Sequence, residues 1–223
     1  MAEVIVVKDL VKKYNGRTPV LDGVTFSVEE GEFVTVFGRS GCGKTTLLNI
    51  LGGLDRPSEG EVTIAGEMVS AMNEDQLARF RLHNVGFVFQ DYNLLEDLTV
   101  RENIALPMTF SERKADGSRV EGLLRMFDIV GIADETANKI SGGEAQRTAI
   151  ARAMMNEPKI ILADEPTGNL DQDNATNVMD MFHLVRRDFG TTIVLATHDR
   201  DLAEHSTKMI TLVDGGATSE SQS

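Results

Sequence analysis

Apolar residues recur along this chain in two rhythms, and the alternation between them lays out a fold. Val24, Phe26 and Val28 alternate with polar neighbours, the period-2 pattern of a half-buried strand, and the turn Glu29-Glu30-Gly31-Glu32 behind them predicts a hairpin. Phe33 to Phe37 is nearly all apolar, as expected of a strand covered on both faces. After a glycine-rich stretch, Leu47, Leu48, Leu51 and Leu54 fall on one helical face. Val62 with Ile64, and Val85 to Phe89, predict further strands, and Asn103 to Met108 a helical piece stopped near Pro107. From Asp91 to Met155 the spacing is mostly helical, with an apolar stripe of Leu123, Leu124, Phe127 and Val130. Lys159 to Ala163 predicts a buried strand. Val178, Met181, Phe182 and Val185 predict a helix ended by Gly190. Thr191 to Ala196 and Met209 to Val213 predict the last strands, before Gly215-Gly216 and a Ser-rich end expected to fray.

Strands alternating with helices imply parallel pairing with helices on both faces. The expected fold is therefore α/β, with an antiparallel β part at the N-terminal end. One domain is expected over 1–223. Its α/β core spans 1–90 and 156–214, a helical subdomain is inserted at 91–155, and residues 215–223 form a flexible tail. Composition narrows the function. With 35 Asp and Glu against 22 Lys and Arg, the net charge is −13, which argues against a broad nucleic-acid footprint. No apolar run approaches the roughly 20 residues of a membrane span, and Glu3 stands where a secretory signal would be basic. A cytoplasmic protein is expected, and the single cysteine, Cys42, fits a reducing compartment.

Three stretches carry chemistry. Gly38-Arg39-Ser40-Gly41-Cys42-Gly43-Lys44-Thr45 matches GxxxxGK[ST] between a buried strand and an amphipathic helix. Glycines let the backbone curl into a nest of N–H groups. Lys44 reaches outer phosphates, and the Thr45 hydroxyl suits Mg²⁺. Ile160-Ile161-Leu162-Ala163-Asp164-Glu165 ends an apolar strand on two carboxylates, where parallel sheets present ligand-binding groups. Asp164 suits the metal shell and Glu165 the polarising of a water. Ser141-Gly142-Gly143-Glu144 opens a helix as an S-x-x-E capping box. Two consecutive glycines also bare backbone N–H groups at a positive helix end, so the residues alone leave a plain cap and a second phosphate site both open.

Taken in order, the phosphate loop, the ISGGEAQR stretch, the ILADEP strand, Asn169-Leu170-Asp171 and Thr197-His198-Asp199 resemble the ABC transporter ATPases over essentially the whole chain. The stretch FVFQDYNLLEDLTVRENIALPM is similar to the branch holding lipoprotein-release, macrolide-efflux and cell-division ATPases. Ile140 for Leu, Glu144 for Gln and Arg39 for Pro depart from the commonest family pattern without removing a needed group. The resemblance implies a P-loop NTPase core that binds ATP with Mg²⁺. Tyr14 would stack on adenine, Gly38 to Thr46 (with Thr45 and Thr46 entering the helix) would hold phosphates, and Gln90 would meet Mg²⁺ beside Thr45 and Asp164.

The resemblance also implies a head-to-tail homodimer, in which Ser141, Gly142, Gly143 and Glu144 of one subunit close on the nucleotide held by the other. Glu165 would be the general base, His198 would contact the γ-phosphate, Lys44 would offset developing charge and Asp171 would link the two sites. A separate membrane-spanning permease is the implied partner, which would hold the chain at the cytoplasmic face of a membrane. A soluble assembly ATPase is the alternative, and nucleic acid is not expected. Cys42, in the phosphate loop, is expected to be a reactive thiol shielded by nucleotide.

Overall fold

In the computed structural model, residues 2–16, 18–111 and 117–221 are described. Ten strands form two sheets: β1 (Glu3–Lys12), β2 (Leu21–Glu29), β3 (Phe33–Phe37), β4 (Glu59–Ile64), β5 (Glu67–Met68), β6 (Val85–Phe89), β7 (Ile160–Asp164), β8 (Thr192–Thr197), β9 (Lys208–Val213) and β10 (Gly216–Ser221). The larger sheet has the order β10-β9-β3-β8-β7-β6 and is parallel except for β10. The smaller has the order β2-β1-β4-β5 and is antiparallel. The connecting helices are α1 (Lys44–Leu51), α2 (Glu74–Asn84), α3 (Val100–Ala105), α4 (Gly117–Met126), α5 (Gly142–Ala153), α6 (Gln172–Phe189) and α7 (Arg200–Ala203).

The all-apolar strands divide by parity. Val34, Val36, Ile160, Leu162, Val194 and Ala196 face one core with α1 and the antiparallel sheet, while Phe33, Ile161, Ala163, Ile193 and Leu195 face the other with α4, α5 and α6. Two buried faces require apolar residues at both parities, which is why these runs do not alternate. Apolar residues of the expected helical subdomain, among them Val100, Ile104, Leu124 and Phe127, belong to the second core. The insertion is packed onto the sheet and has no separate interior.

Five sequence expectations need correction. The turn at Gly31 makes no hairpin, because β2 pairs with β1 while β3 pairs with β8 and β9, so the turn carries the chain from one sheet to the other. Leu54 lies beyond the end of α1 and is half exposed, as is Val130. Asn103 and Ile104 do lie in a helix, but α3 ends at Ala105 and 106–110 is 3-10 turn around Pro107. The Ser-rich end is also ordered as far as described: Gly216–Ser221 pairs with β9 over six residues. Asp214 and Gly215, both at positive φ (48° and 84°), form the tight turn that a two-residue hairpin demands. Residues 222–223 lie outside the described residues.

Candidate nucleotide site

The site follows from strand register. Phe89 lies opposite Asp164, Asp164 opposite Ala196, and Phe37 opposite Thr197. Neighbouring strands lie about 4.8 Å apart, so the residues just beyond them, Gln90, Glu165, His198 and Gly38, emerge side by side at the C-terminal edge of the sheet. That edge is where open α/β sheets take their ligands.

From β3 the chain turns through Gly38–Gly43 into α1. Gly43 caps α1 at φ 107°, a backbone state closed to L side chains, and a Cβ there would sit 3.0 Å from the Val20 carbonyl. Lys44 is buried at 6% exposure. Its ammonium donates to the carbonyl of Gly38 at 2.8 Å and that of Arg39 at 3.4 Å, and lies 3.3 Å from Glu165 Oε1. A cavity of about 290 Å³ opens here, lined by Val20, Ser40, Gly41, Gly43, Lys44, Thr45, Thr46, Gln90, Asp164 and Glu165.

Two adjacent carboxylates in this cavity have opposite surroundings. Glu165 sits at φ 45°, a left-handed backbone that costs a non-glycine residue roughly 1–3 kcal/mol. Its N–H donates to the Ala196 carbonyl at 2.9 Å. Oε1 is shared between Lys44 and His198 Nδ1, the latter at 2.9 Å, and the His198 side chain itself is 66% exposed. Asp164 is less well satisfied: its Oδ1 is buried without a hydrogen-bond partner among the described residues. Burial raises its pKa above the ordinary carboxylate value; the Thr45 side chain opposes this by hydrogen bonding, the Glu165 charge adds to it and Lys44 opposes it. A desolvated carboxylate oxygen without a protein partner, beside a hydroxyl, is a donor set suited to a hard cation, so the residues present fit Mg²⁺.

Gln90 Nε2 reaches Asn169 Oδ1 at 3.3 Å, and Asn169 Nδ2 donates back to the Gln90 carbonyl and to Asp91 at 3.2 Å each. In the sequence Asn169 is legible only as part of the Asn169-Leu170-Asp171 stretch and Val20 carries no signal; the structure adds both. Tyr14 stands outside the cavity lining, 42% exposed, with its hydroxyl donating to Asp55 at 2.6 Å and Lys12 Nζ 4.6 Å from its ring centre. Burial and Asp55 raise the Tyr14 pKa, and the Thr46 side chain opposes the rise.

Gly38, Arg39 and Cys42 do not line the cavity. Gly38 and Arg39 contribute carbonyls to Lys44 instead. A Cβ on Gly38 would lie 2.5 Å from Cys42 Sγ, and Cys42 packs against the first core. A small apolar side chain at the loop's base is drawn to the core, and this thiol packs there rather than into the cavity.

Ser141, Gly142, Gly143, Glu144 and Asp171 are likewise absent from the lining. The full capping box forms: the Glu144 N–H donates to Ser141 Oγ at 3.4 Å and the Ser141 N–H donates to Glu144 Oε2 at 2.8 Å, while Ser141 Oγ also donates to that oxygen at 2.7 Å. These hydrogen bonds lower the Glu144 pKa, the Ser141 side chain being the larger cause. Asp171 caps α6 by accepting from the Asn174 N–H at 2.9 Å. The two helix starts touch, since a Cβ on Gly143 would lie 2.6 Å from Asn174 Oδ1. In this one subunit, then, the residues at the α5 N-terminus do not line the phosphate-loop cavity.

Comparison with known proteins gives the same architecture. A family model described as "ABC transporter" matches residues 21–168. The chain is 43% identical over 217 residues to the lipoprotein-releasing system ATP-binding protein LolD of Cytophaga hutchinsonii, covering 96% of this chain and 99% of that protein. It is 42% identical over 201 residues to the macrolide export ATP-binding/permease protein MacB of Rhodopirellula baltica, covering 88% of this chain and 29% of that one. Among solved structures, the dimeric ATP-binding cassette MJ0796 in a post-hydrolysis state bound to ADP and Pi superposes with a TM-score of 0.89 at 38% identity, covering 97% and 98% of the two chains.

Proposed function

This chain belongs to the ABC transporter family, and from that premise we propose that it hydrolyses ATP as the energising subunit of a membrane transporter, working as a homodimer with a separate membrane-spanning permease. The observation that carries the reading is the division of the site. Lys44, Asp164, Glu165 and Gln90 share one cavity, while Ser141 to Gly143, at the start of α5, lie outside its lining. Two copies placed head to tail would complete two sites at once, and the relative MJ0796 is a dimer.

Lys44 then leaves its carbonyl partners and Glu165 to meet the outer phosphates, offsetting charge that develops on the γ-phosphoryl oxygens. That departure frees the Glu165 carboxylate to accept a proton from the attacking water. His198, already within hydrogen-bond distance of Glu165, orients that carboxylate and contacts the γ-phosphate. Thr45, Asp164 and Gln90 would hold Mg²⁺, which when bound neutralises phosphate charge. Tyr14 at the cavity mouth provides a ring for adenine. Ser141 and Gly143 of the second subunit close on the γ-phosphate.

An apolar groove of about 680 Å³, lined by Leu54, Phe87, Phe89, Pro107, Phe110 and Arg152 among others, lies beside Gln90 and suits a permease segment. Phe110 is 72% exposed on its rim, more than a chain without a partner there would gain from. No helix among the described residues is long and apolar enough to cross a membrane, so the permease would recruit the chain to the cytoplasmic face. The relatives' names favour this partner over a soluble assembly complex. The test is affinity capture of tagged Glu165→Gln chain with Mg·ATP from detergent-solubilised membranes. The expected partner is a protein with transmembrane helices; exclusively soluble partners would overturn the transport reading.

A further inference from the structure

Between the cavity and the groove runs a short strap of unusual backbone. Tyr92 and Asn93 directly follow the Gln90-Asp91 pair and stand consecutively at φ 60° and 49°. Two neighbouring non-glycine residues in the left-handed region are each unfavourable, and such a conformation persists only where the surroundings over-determine it. What holds it is visible: the Arg152 guanidinium of α5 donates to the Asn93 carbonyl at 2.5 Å and to the Tyr92 carbonyl at 2.7 Å.

A fork-shaped donor satisfies two successive carbonyls in one plane, which an ammonium on a flexible stem does not reproduce. Arg152 is half-buried, and burial lowers its pKa. On its cavity side the same strap is tied again, through Asn169 to the Gln90 carbonyl and the Asp91 carboxylate. A Cβ on Gly142 would lie 3.0 Å from the Tyr92 hydroxyl, so the strap also touches the start of α5. Arg152 and Asn93 both line the apolar groove.

From these contacts we infer that Arg152 is a positioning residue, which clamps the Tyr92–Asn93 backbone and thereby aims Gln90 at the metal side of the nucleotide cavity. It touches no nucleotide and acts through Gln90 alone. The inference rests on the reading of Gln90 as a Mg²⁺-side residue, and it deepens that reading by naming what fixes Gln90 from the groove side.

The experiment uses the full chain with Mn²⁺ as the spectroscopic substitute for Mg²⁺ and a non-hydrolysable ATP analogue. Mn²⁺ affinity is read by paramagnetic resonance, and backbone protection by hydrogen–deuterium exchange. Arg152→Lys is expected to speed exchange across 90–94 with little change elsewhere in α5, and to weaken Mn²⁺ binding by about tenfold, the usual scale for losing an outer support of a metal ligand. The analogue's own affinity without metal is expected to stay the same. Gln90→Ala should weaken Mn²⁺ comparably, and the double variant should be no worse than Gln90→Ala, because both act through one group.

Should Arg152→Lys fold poorly, Asn93→Val leaves Arg152 intact, places a β-branched residue at φ 49°, and is expected to move exchange and Mn²⁺ affinity in the same direction. Unchanged Mn²⁺ affinity in Gln90→Ala would overturn both the metal-side reading and the clamp. A Gln90→Ala defect with normal exchange and affinity in Arg152→Lys and Asn93→Val, or additive losses in the double variant, would overturn the clamp alone.

Discussion

Asp164 carries a penalty in the ligand-free protein that its amide analogue lacks. Burial raises its folded pKa above the unfolded value, so the folded state holds the proton more tightly, and stability is lost as pH rises from the usual carboxylate pKa of about 3.9 through the raised one. Asp164→Asn is therefore expected to melt at a higher temperature than the unmodified chain at pH 7 without nucleotide, a gain that vanishes at pH values below the ordinary carboxylate pKa, while hydrolysis falls by about 10²–10³-fold. Thermal scans across pH check the sign; a lower melting temperature at pH 7 would mean that Oδ1 has a partner in solution. Glu165 separates the same way between structure and chemistry. In Glu165→Gln the amide oxygen still accepts from Lys44, but no group there takes a proton, so ATP binding should persist and turnover should drop by at least about 10²-fold. Nucleotide titration beside phosphate release measures both, and near-normal turnover would remove Glu165 from the base role.

For α5, the capping box does not exclude the phosphate reading. Ser141 and Glu144 satisfy each other in the free chain, which the S-x-x-E spacing made legible, but a cap does not require glycine at the next two positions. Gly143 is explained by its approach to Asn174, a contact between distant helices that the sequence could not reveal. Ser141→Ala is expected to lower stability by about 1 kcal/mol, the ordinary value of a cap, to reduce hydrolysis at least tenfold, and to leave ATP affinity of the isolated subunit unchanged. Denaturant melts with nucleotide titration decide: a loss confined to stability would leave only the cap. The same contrast explains which elements could be foreseen. Parity runs such as Ile160 to Ala163 announced buried strands, because burial on two faces leaves no other composition. Helix α2 hid because only Leu77 and Phe80 of it are buried, although its Asn73 and Gln76 box was readable. Strand β10 hid because its residues bury little and backbone pairing to β9 holds it, with Asp214-Gly215 as the overlooked signal. Cys42 packs toward the first core, a side-chain direction that its position in a phosphate loop does not reveal.

At the scale of the whole molecule, the proposed function divides each site, one subunit gripping the nucleotide in its cavity and the other closing on it with the start of α5. Such a division predicts complementation. A Lys44→Ala subunit lacks the grip but keeps a sound α5 start; a Ser141→Arg subunit keeps the grip but blocks closure over its neighbour's nucleotide. In a two-fold dimer each site takes its loop from one chain and its α5 from the other. Pairing the two variants therefore assembles one site with both defects and one with neither. Both chains also carry Glu165→Gln, so that ATP is bound and not consumed. Neither variant alone should form an ATP-dependent dimer, whereas an equimolar mixture should form one with a single ATP per pair, from the roughly half of random pairings that join unlike chains. The association must overcome the repulsion of two chains of net charge −13, so the mixture should dimerise more completely at moderate than at very low ionic strength, because added salt shortens the Debye length from about 30 Å to about 8 Å. Sizing chromatography with radiolabelled ATP measures mass and stoichiometry together. A mixture that stays monomeric under conditions where the Glu165→Gln chain dimerises would place both halves of the site in one subunit and overturn the head-to-tail arrangement.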